Sequence, residues 1–283
     1  MSAYQDLMAF QRETEALGQI MGRLGWDQET VMPAGAAEQR AEEMAALAGV
    51  LHRRRTDPRI GDWLEAATPE DETGARHLAE IRREFARTQR VPEALAANLA
   101  RTTSLAHRVW AEARRTEDFD LFRPNLDEVL TLSREKGDAL AAGGDPYDAL
   151  LEDYEPGTTA ADLDAMFGAL RPRLSALRDR VLGAERIAPT LDRDFPEAGQ
   201  LDISARLARA FGYSEDHGRI DKAVHPLSSG AGLDVRITTR TEPRNPANCF
   251  YSTIHEVGHA TYEQGVSRDF LLTPLGRGAS MGV

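Results

Sequence analysis

Two histidines and a glutamate lie within one short segment, His255-Glu256-Val257-Gly258-His259. Residues four apart on a helix lie on one face, so His255 and His259 can both reach a single metal ion. Glu256 follows the first histidine and projects beside that metal, where it can accept a proton from an activated water. The segment therefore predicts two ligands of one metal ion and a general base beside them, an arrangement that can activate water for hydrolysis. We refer to His255 and His259 as the histidine pair.

The residues around the histidine pair predict a helix. Asn245 followed by Pro246 is typical of an N-cap with proline at the first helical position, and Gly265 is suited to a left-handed residue just after the helix. Small and apolar residues repeat at three- and four-residue steps and predict the stripe that faces the core. That stripe consists of Phe250, Ile254, Val257 and Thr261.

An alternative interpretation needs no metal. In it, the two histidines lie in the core with hydrogen bonds to the backbone, and Glu256 is an ordinary solvated charge on the helix. Burying three ionisable groups in an otherwise apolar helix is unfavourable unless something compensates them, so the metal interpretation is preferred. Cys249 lies before the histidine pair and could approach the metal. A small buried residue is the favoured interpretation of that cysteine.

Composition and charge limit the classes of protein that this sequence can belong to. The 283 residues are 41% hydrophobic and 28% charged, which is typical of a folded protein with one large core. The formal net charge of -12 argues against a nucleic-acid partner, because sequence-independent binding needs a clustered positive surface. The one compact basic run, 53–55, falls where a helix would end and suits the dipole of that helix.

Cysteine usage and the N-terminal residues predict a cytoplasmic protein. Cys249 is the one cysteine, so no intramolecular disulfide can form. The first residues lack a basic start followed by an apolar stretch, and no run approaches the length of a membrane span. We therefore expect no membrane partner.

Helical periodicity dominates the chain up to residue 212 and predicts a mainly α fold in a single domain over 1–283, since no linker composition divides it. Residues 24–29 and 119–124 interrupt the pattern and are predicted connectors. Trp26 is a predicted packing anchor, and Asp27 a cap or a buried acceptor. The predicted helices before the histidine pair cover 3–22, 34–55, 60–66, 70–88, 93–117, 125–142, 160–182 and 200–211.

The segment 233–241 precedes the predicted helix of the histidine pair. It alternates apolar or β-branched residues with polar ones and predicts a strand. As an edge strand it could pair with an extended peptide substrate. Arg236 and Arg240 project from one face of this strand and are candidates for binding a terminal carboxylate. His225 is a candidate for a hydrogen bond to the substrate. An alternative role for Arg236 is to stabilise the strand with Asp234.

Five segments lie in order along the whole chain: 25–30, 153–157, 225–226, 234–238 and 255–259. Taken together, they resemble the carboxypeptidase Taq family of metallocarboxypeptidases. The resemblance implies a mostly helical, cleft-shaped zincin-type peptidase, usually a homodimer, that removes single amino acids from peptide C-termini with broad preference. Zinc is the implied cofactor, with cobalt or manganese as alternatives. The family's His-Pro-Phe stands here as His225-Pro226-Leu227.

A catalytic zinc site of this type needs two histidines and a carboxylate, with a fourth position for water. The resemblance implies that the third ligand is a glutamate in a His-Glu-Ser segment after a glycine-rich stretch like 277–283, where this sequence stops. We therefore expect a C-terminally truncated metallopeptidase domain. Within the chain, Glu263 lies about 12 Å along the helix from His255, which is poor geometry, and Asp269 is a second candidate.

Other functions stay open from the sequence. An endopeptidase or an aminopeptidase on a related helical scaffold would carry the same histidine pair. A catalytically incomplete fragment, or a non-catalytic helical protein, would keep the pair without completing the site.

Overall fold

Helices make up most of the computed structural model, which describes residues 2–185 and 191–280. The predicted mainly α class, with a small β element before the helix of the histidine pair, is confirmed. None of the helices in the described ranges combines the length and apolar character that crossing a bilayer requires. The helices are α1 Ala3–Thr30, α2 Ala37–Arg55, α3 Pro58–Ala66, α4 Glu72–Thr88, α5 Glu93–Thr116, α6 Phe119–Ala141, α7 Pro146–Leu151, α8 Ala160–Leu182, α9 Glu197–Ala210 and α10 Pro246–Gly265.

The first helix is longer than its periodicity predicts, because α1 continues through residues 24–29. Tertiary contacts hold this part helical. Trp26 is only 5% exposed, as expected of a packing anchor. Arg40 of α2 donates to the carbonyl oxygen of Leu24 at 2.6 Å and to the Asp27 carboxylate at 2.6 Å. Asp27 is thus an acceptor, as predicted, although it is only partly buried. The predicted helix break was wrong.

The predicted connector at 119–124 is also wrong, since α6 begins at Phe119. Asp118 caps the helix by accepting a hydrogen bond from the backbone N–H of Leu121 at 3.3 Å. Pro124 lies inside the helix, where it removes one backbone hydrogen bond. The cap and the packing of α6 along α5 offset that loss.

The small sheet contains β1 Ile220–Lys222, β2 Ser228–Ala231 and β3 Asp234–Thr239, in the spatial order β1-β3-β2. β1 pairs parallel to β3 and β2 pairs antiparallel to it. β3 is therefore the central strand, and its prediction as an edge strand was wrong. Both of its edges are already hydrogen-bonded, so β3 cannot add a peptide.

The core around α10 combines the sheet with α9, and includes Tyr213, Val235, Ile237 and Val257. The predicted stripe was correct for Val257 and wrong for Phe250, Ile254 and Thr261, which are only partly buried. The fully buried positions of α10 are Cys249, Thr253, Val257 and Ala260.

Hydroxyl contacts with β3 explain this orientation of α10. The Thr253 hydroxyl lies 2.8 Å from the carbonyl oxygen of Cys249 and 2.9 Å from the Thr239 hydroxyl. The Cys249 thiol lies 3.2 Å from the Ser204 hydroxyl, so the predicted buried position of Cys249 is confirmed. These paired polar groups can face the core without an unsatisfied donor.

The ends of α10 were predicted in part. Asn245 is the N-cap residue, followed by Pro246, although its side chain makes no capping hydrogen bond. Gly265 is the last helical residue and not a left-handed one, because the described positive-φ glycines do not include it. The chain leaves the helix through Val266 in an extended conformation.

Several contacts of α1 reach residues from the far end of the sequence. The Arg23 guanidinium binds the Asp234 carboxylate at 2.8 Å, across 211 positions. Arg12 donates to the carbonyl oxygen of Leu271 at 3.3 Å, across 259 positions. The first helix is thereby joined to the sheet and to the segment that follows α10.

Asp153 follows α7 and joins it to α4 and α6. From these contacts we predict that the stability of the protein depends on pH. It accepts hydrogen bonds from Arg87 of α4 and Lys136 of α6, each at 2.6 Å. Burial acts to raise the pKa of Asp153, but the hydrogen bonds and charges of Lys136 and Arg87 outweigh it and hold the pKa below its ordinary value. The stability that Asp153 contributes is therefore fully present above its unfolded pKa, about 3.9, and is lost as the pH falls through the lower folded pKa.

We expect Asp153→Asn to lower the free energy of unfolding at neutral pH, and the difference from wild type to shrink as the pH approaches about 3. Urea titrations of both proteins across this pH range measure it. Asp120→Asn, which removes the exposed pair of Asp120 with Arg123, is the matched control and should change stability little at either pH. A difference for Asp153→Asn that stays constant with pH would contradict the assignment.

Candidate metal centre

The histidine pair faces outward from α10 with its ring nitrogens close together. The Nε2 atoms of His255 and His259 are 3.3 Å apart, and the rings are nearly perpendicular at 87°. Two nitrogens bound to one tetrahedral zinc at about 2.0–2.1 Å would be separated by about 3.3–3.4 Å. The pair thus fits a metal ion of this kind. The same separation suits a hydrogen bond between the two rings, which a metal would replace.

Glu256 lies on the buried side of the same turn and is only 7% exposed. Burial raises the pKa of its carboxyl group, and the positive influence of His255, His259 and His225 acts in the opposite direction. A carboxylate with a raised pKa is a stronger proton acceptor than an ordinary surface glutamate. The structure therefore places a basic group next to the two candidate metal ligands.

His225 approaches this site from the loop before β2. Its side chain is exposed, while the next residue, Pro226, is buried and anchors the loop. The Thr238 hydroxyl of β3 donates toward the carbonyl oxygen of His225 at 3.3 Å. Because His225 acts on the pKa of Glu256, the structure brings this predicted residue to the same site.

Arg236 is partly buried and is held in place by two partners. Its guanidinium binds Asp234 through two hydrogen bonds of 2.8 and 3.0 Å. It also lies over the Trp26 ring, 4.4 Å from the ring centroid. Asp234 accepts a further hydrogen bond from Arg23. These contacts match the alternative role of Arg236, which is to stabilise the strand.

Arg240 follows β3 and has weaker contacts. Its nearest acidic partner is Glu242, with 3.7 Å between Arg240 Nη2 and Glu242 Oε1. The Glu242 carboxylate also accepts a hydrogen bond from Asn248. Arg240 Nε is buried and has no hydrogen-bond partner among the residues that the structure describes. Arg240 Nε is therefore an unused donor, whereas Arg236 is already held by two hydrogen bonds to Asp234.

Neither proposed alternative for a third ligand joins the histidine pair. Glu263 accepts a hydrogen bond from the backbone N–H of Gly278 at 2.7 Å, and burial raises the pKa of its carboxyl group. Asp269 is exposed and lies 3.3 Å from the Ser267 hydroxyl. Across 2–185 and 191–280, no three His, Cys, Asp or Glu side chains are grouped so that they could hold a metal.

A cavity of about 740 Å³ lies between α1, α2, α4 and the segment 276–280, and sequence reasoning missed it. Glu263, one turn after His259, is part of its wall, but the histidine pair is not. Glu15 of α1 also lines the cavity, and burial raises the pKa of its carboxyl group against the opposing charge of Arg277. These residues are scattered over distant segments without a local motif, so no sequence signal could have found them.

Comparison with known families decides what this arrangement belongs to. The model of the family described as carboxypeptidase Taq (M32) metallopeptidase matches residues 6–283. The chain belongs to this family. The predicted resemblance to the carboxypeptidase Taq family is confirmed. The chain is therefore assigned to a family of metallopeptidases.

M32 relatives with curated names are all longer than this chain. The chain is 40% identical to thermostable carboxypeptidase 1 of Thermus thermophilus, covering 100% of this chain and 59% of the relative. It is 32% identical to carboxypeptidase 1 of Bacillus subtilis, covering 91% and 53%. The chain thus spans little more than half the length of the carboxypeptidases that it matches.

Solved M32 structures share the fold. A crystal structure named BsuCP superposes with a TM-score of 0.92 at 28% identity, covering 99% of this chain and 58% of the other. The M32 carboxypeptidase of Deinococcus radiodurans R1 gives a TM-score of 0.84 at 38% identity, covering 99% and 57%. The helices and sheet of this chain thus have the M32 arrangement.

Proposed function

We propose that this chain carries the metal ligands and the general base of a metal-dependent carboxypeptidase that releases C-terminal amino acids from peptides with broad preference. The observation that supports this best is the histidine pair, with 3.3 Å between its Nε2 atoms, beside the buried Glu256. Membership of the M32 family supports the same reaction class.

His255 and His259 would hold the metal through their Nε2 atoms. When bound, the metal lowers the pKa of water and polarises the scissile carbonyl group. Imidazole ligands suit zinc, and they also accept cobalt; manganese is the weaker alternative because it prefers oxygen ligands.

Glu256 would move the proton during hydrolysis. Its carboxylate takes a proton from the attacking water and passes it to the amine that leaves when the peptide bond breaks. Its burial keeps bulk water away from the carboxylate, which raises its pKa and makes this transfer easier. The exposed His225 can donate a hydrogen bond to the carbonyl oxygen as negative charge develops there.

Peptide binding would use β2 in place of the central β3. β2 pairs with β3 along one edge, and its residues Gly230 and Ala231 line the large cavity. An extended peptide beside that strand would gain main-chain hydrogen bonds that do not depend on its side chains. Such binding agrees with a broad preference.

Arg240 is the better of the two candidate arginines for binding the terminal carboxylate. We expect Arg240→Ala to lower kcat/KM for peptides with a free C-terminus by about 10- to 100-fold, the loss expected for a charge-assisted hydrogen bond. Arg236→Ala should instead lower the free energy of unfolding by about 1–3 kcal/mol and leave the preference for free C-termini unchanged. Steady-state kinetics and urea titrations of both variants check this. The reverse pattern would show that Arg236 binds the substrate.

Metal content and substrate form together test the proposed function. Elemental analysis of the purified chain, after loosely bound ions are removed, measures how much metal it retains. Peptides with free and with amidated C-termini are then compared as substrates, together with N-acetylated peptides. Cleavage that amidation blocks supports a carboxypeptidase. Cleavage that survives amidation indicates an endopeptidase, or an aminopeptidase if N-acetylation blocks it.

A second candidate function is a non-catalytic helical protein, or an incomplete fragment, that keeps the histidine pair. The absence of a third ligand grouped with the pair in the described ranges favours it. In that case the purified chain retains no metal and hydrolyses none of these peptides.

A further inference from the structure

The large cavity between α1, α2, α4 and the segment 276–280 has a charged wall in which almost every group already has a partner. Glu263, which belongs to this wall, binds the backbone of Gly278. The five Lys and Arg side chains that line the cavity all form ion pairs: Arg55 and Arg277 with Glu84, Arg87 and Lys136 with Asp153, and Arg83 with Glu152. A ligand could use these groups only by breaking existing contacts.

Glu15 of α1 is the exception in this wall. It is only 9% exposed, and its carboxylate makes no hydrogen bond to any residue within 2–185 or 191–280. Arg55 and Arg277 act on its pKa through their charge, but both bind Glu84 instead, at 3.0 and 3.3 Å. A buried carboxylate without a hydrogen bond is unfavourable, so Glu15 is an acceptor that a ligand in the cavity can satisfy.

The ligand that suits this acceptor is a cation with hydrogen donors. An ammonium or guanidinium group supplies both the positive charge and the donors that Glu15 lacks. Gln19 lies one turn later on α1 and also lines the cavity, so its amide oxygen can accept from the same group. A metal ion is disfavoured, because the described parts of the chain hold no group of three metal-binding side chains.

The surface of α1 next to Glu15 leaves room for an extended chain. Gly18 and Gly22 line the cavity on the same side of the helix, and neither has a side chain to fill it. The carbonyl oxygen of Gly22 accepts a hydrogen bond from the Ser229 hydroxyl of β2 at 3.4 Å, so this surface reaches the sheet. From Gly22 back to Glu15 is about 10 Å along the helix axis, the length of about three residues of an extended peptide.

The proposed function determines which part of a peptide reaches the cavity. Arg240, the candidate for binding the terminal carboxylate, lies near the start of α10, because its partner Glu242 is bonded to Asn248 of that helix. The histidine pair follows along α10, and Glu263 in the cavity wall comes one turn later. A peptide with its C-terminus at Arg240 therefore extends its preceding residues across the histidine pair toward the cavity.

We propose that the cavity binds the part of the peptide that precedes the cleaved bond, and that Glu15 selects a lysine or arginine side chain there. This inference rests on the proposed function, which supplies the direction of the peptide. Glu15 touches the substrate away from the cleaved bond and takes no part in hydrolysis. The selected side chain stays on the shortened peptide, so the selection is compatible with a broad preference for the amino acid that is released.

Isothermal titration calorimetry with N-acetylated peptides tests the proposal. Each peptide has a free C-terminus and one lysine, placed at successive positions before its last residue, and is compared with the same peptide containing norleucine. The protein carries Glu256→Gln, so that the peptide is not consumed. At one position we expect lysine to bind at least about 10-fold more tightly than norleucine, the gain of a charge-assisted hydrogen bond. Adding Glu15→Gln should remove this difference.

Glu13→Gln is the matched control for Glu15→Gln. Glu13 belongs to the same helix, but its side chain is 72% exposed and pairs with Arg54. The preference for lysine should therefore stay within a few-fold of that without the substitution. Circular dichroism verifies that both variants remain folded.

Equal affinity for lysine and norleucine at every position would overturn the proposal, and so would a lysine preference that survives Glu15→Gln. A lysine-free peptide that gains the same Glu15-dependent affinity when its acetyl group is omitted would also overturn it, because the bound cation would then be the terminal ammonium group. The proposed function fails separately. A chain that binds the lysine peptide through Glu15 but, with Glu256 intact, hydrolyses none of these peptides would support the cavity site and contradict the carboxypeptidase.

Discussion

Replacing Glu256 by glutamine is expected to remove peptide hydrolysis while the histidine pair still holds its metal. Glutamine has nearly the same shape and can occupy the same buried position, but its amide cannot accept a proton from water. General-base catalysis contributes about 10²- to 10⁴-fold, so we expect kcat to fall by about 10³-fold. Steady-state release of the C-terminal amino acid measures the loss, and elemental analysis measures the metal content.

The control for this variant is the same substitution one helix turn beyond the histidine pair. Glu263 is on the same helix, is also partly buried, and has a carboxyl pKa that burial raises in the same direction. Glu263→Gln should retain turnover within a few-fold, because Glu263 binds the backbone of Gly278 and not the reacting groups. Turnover that survives Glu256→Gln would show that another group is the base.

Removal of either histidine should release the metal. Changing a group that merely orients a ligand weakens metal binding by about 10- to 100-fold, so loss of a ligand itself should weaken it by at least about 100-fold. We expect this of both His255→Ala and His259→Ala, with turnover lost in parallel. Competition with a chromophoric chelator, using the metal-loaded protein, measures the affinity.

His217→Ala is the matched control for these two variants. His217 also lies near the surface, but its ring nitrogen bonds the Ser214 hydroxyl at 3.1 Å, apart from the histidine pair. Its replacement should leave the metal affinity unchanged. If His255→Ala and His259→Ala also leave it unchanged, the metal lies elsewhere in the protein.

Local signals explain which parts of the fold were predictable. The helices α2, α4, α5 and α8 carry their periodicity and end signals within their own residues, and their bounds agree closely with prediction. β1 and β2 have three and four residues without alternating polarity, and they form only because β3 offers them an edge. Their absence from the prediction is also why β3 was misplaced at the edge of the sheet.

In the candidate site too, local spacing made some residues predictable, while tertiary contacts decided the roles of others. The histidine pair and Glu256 could be recognised from spacing, because one helix turn determines how they lie relative to each other. Arg236 and Arg240 could not be told apart in sequence, since both belong to one alternating segment. What separates them is the contact of Arg236 with Trp26, a residue more than 200 positions earlier.

The contacts of α1 with the far end of the chain also determine the order in which the protein can assemble during synthesis. Arg23 leaves the ribosome 211 residues before its partner Asp234, which at about 5–20 residues per second is a delay of about 10–40 s. During that time α5 can already pack against α2 and α6, because all three helices precede the sheet in sequence. α1 can pack against α2 and α3 in the same period, but its contact with the sheet forms only after β3 is made. The helix with the histidine pair, α10, is made after the sheet. A newly made chain can therefore pack its early helices before it acquires the histidine pair.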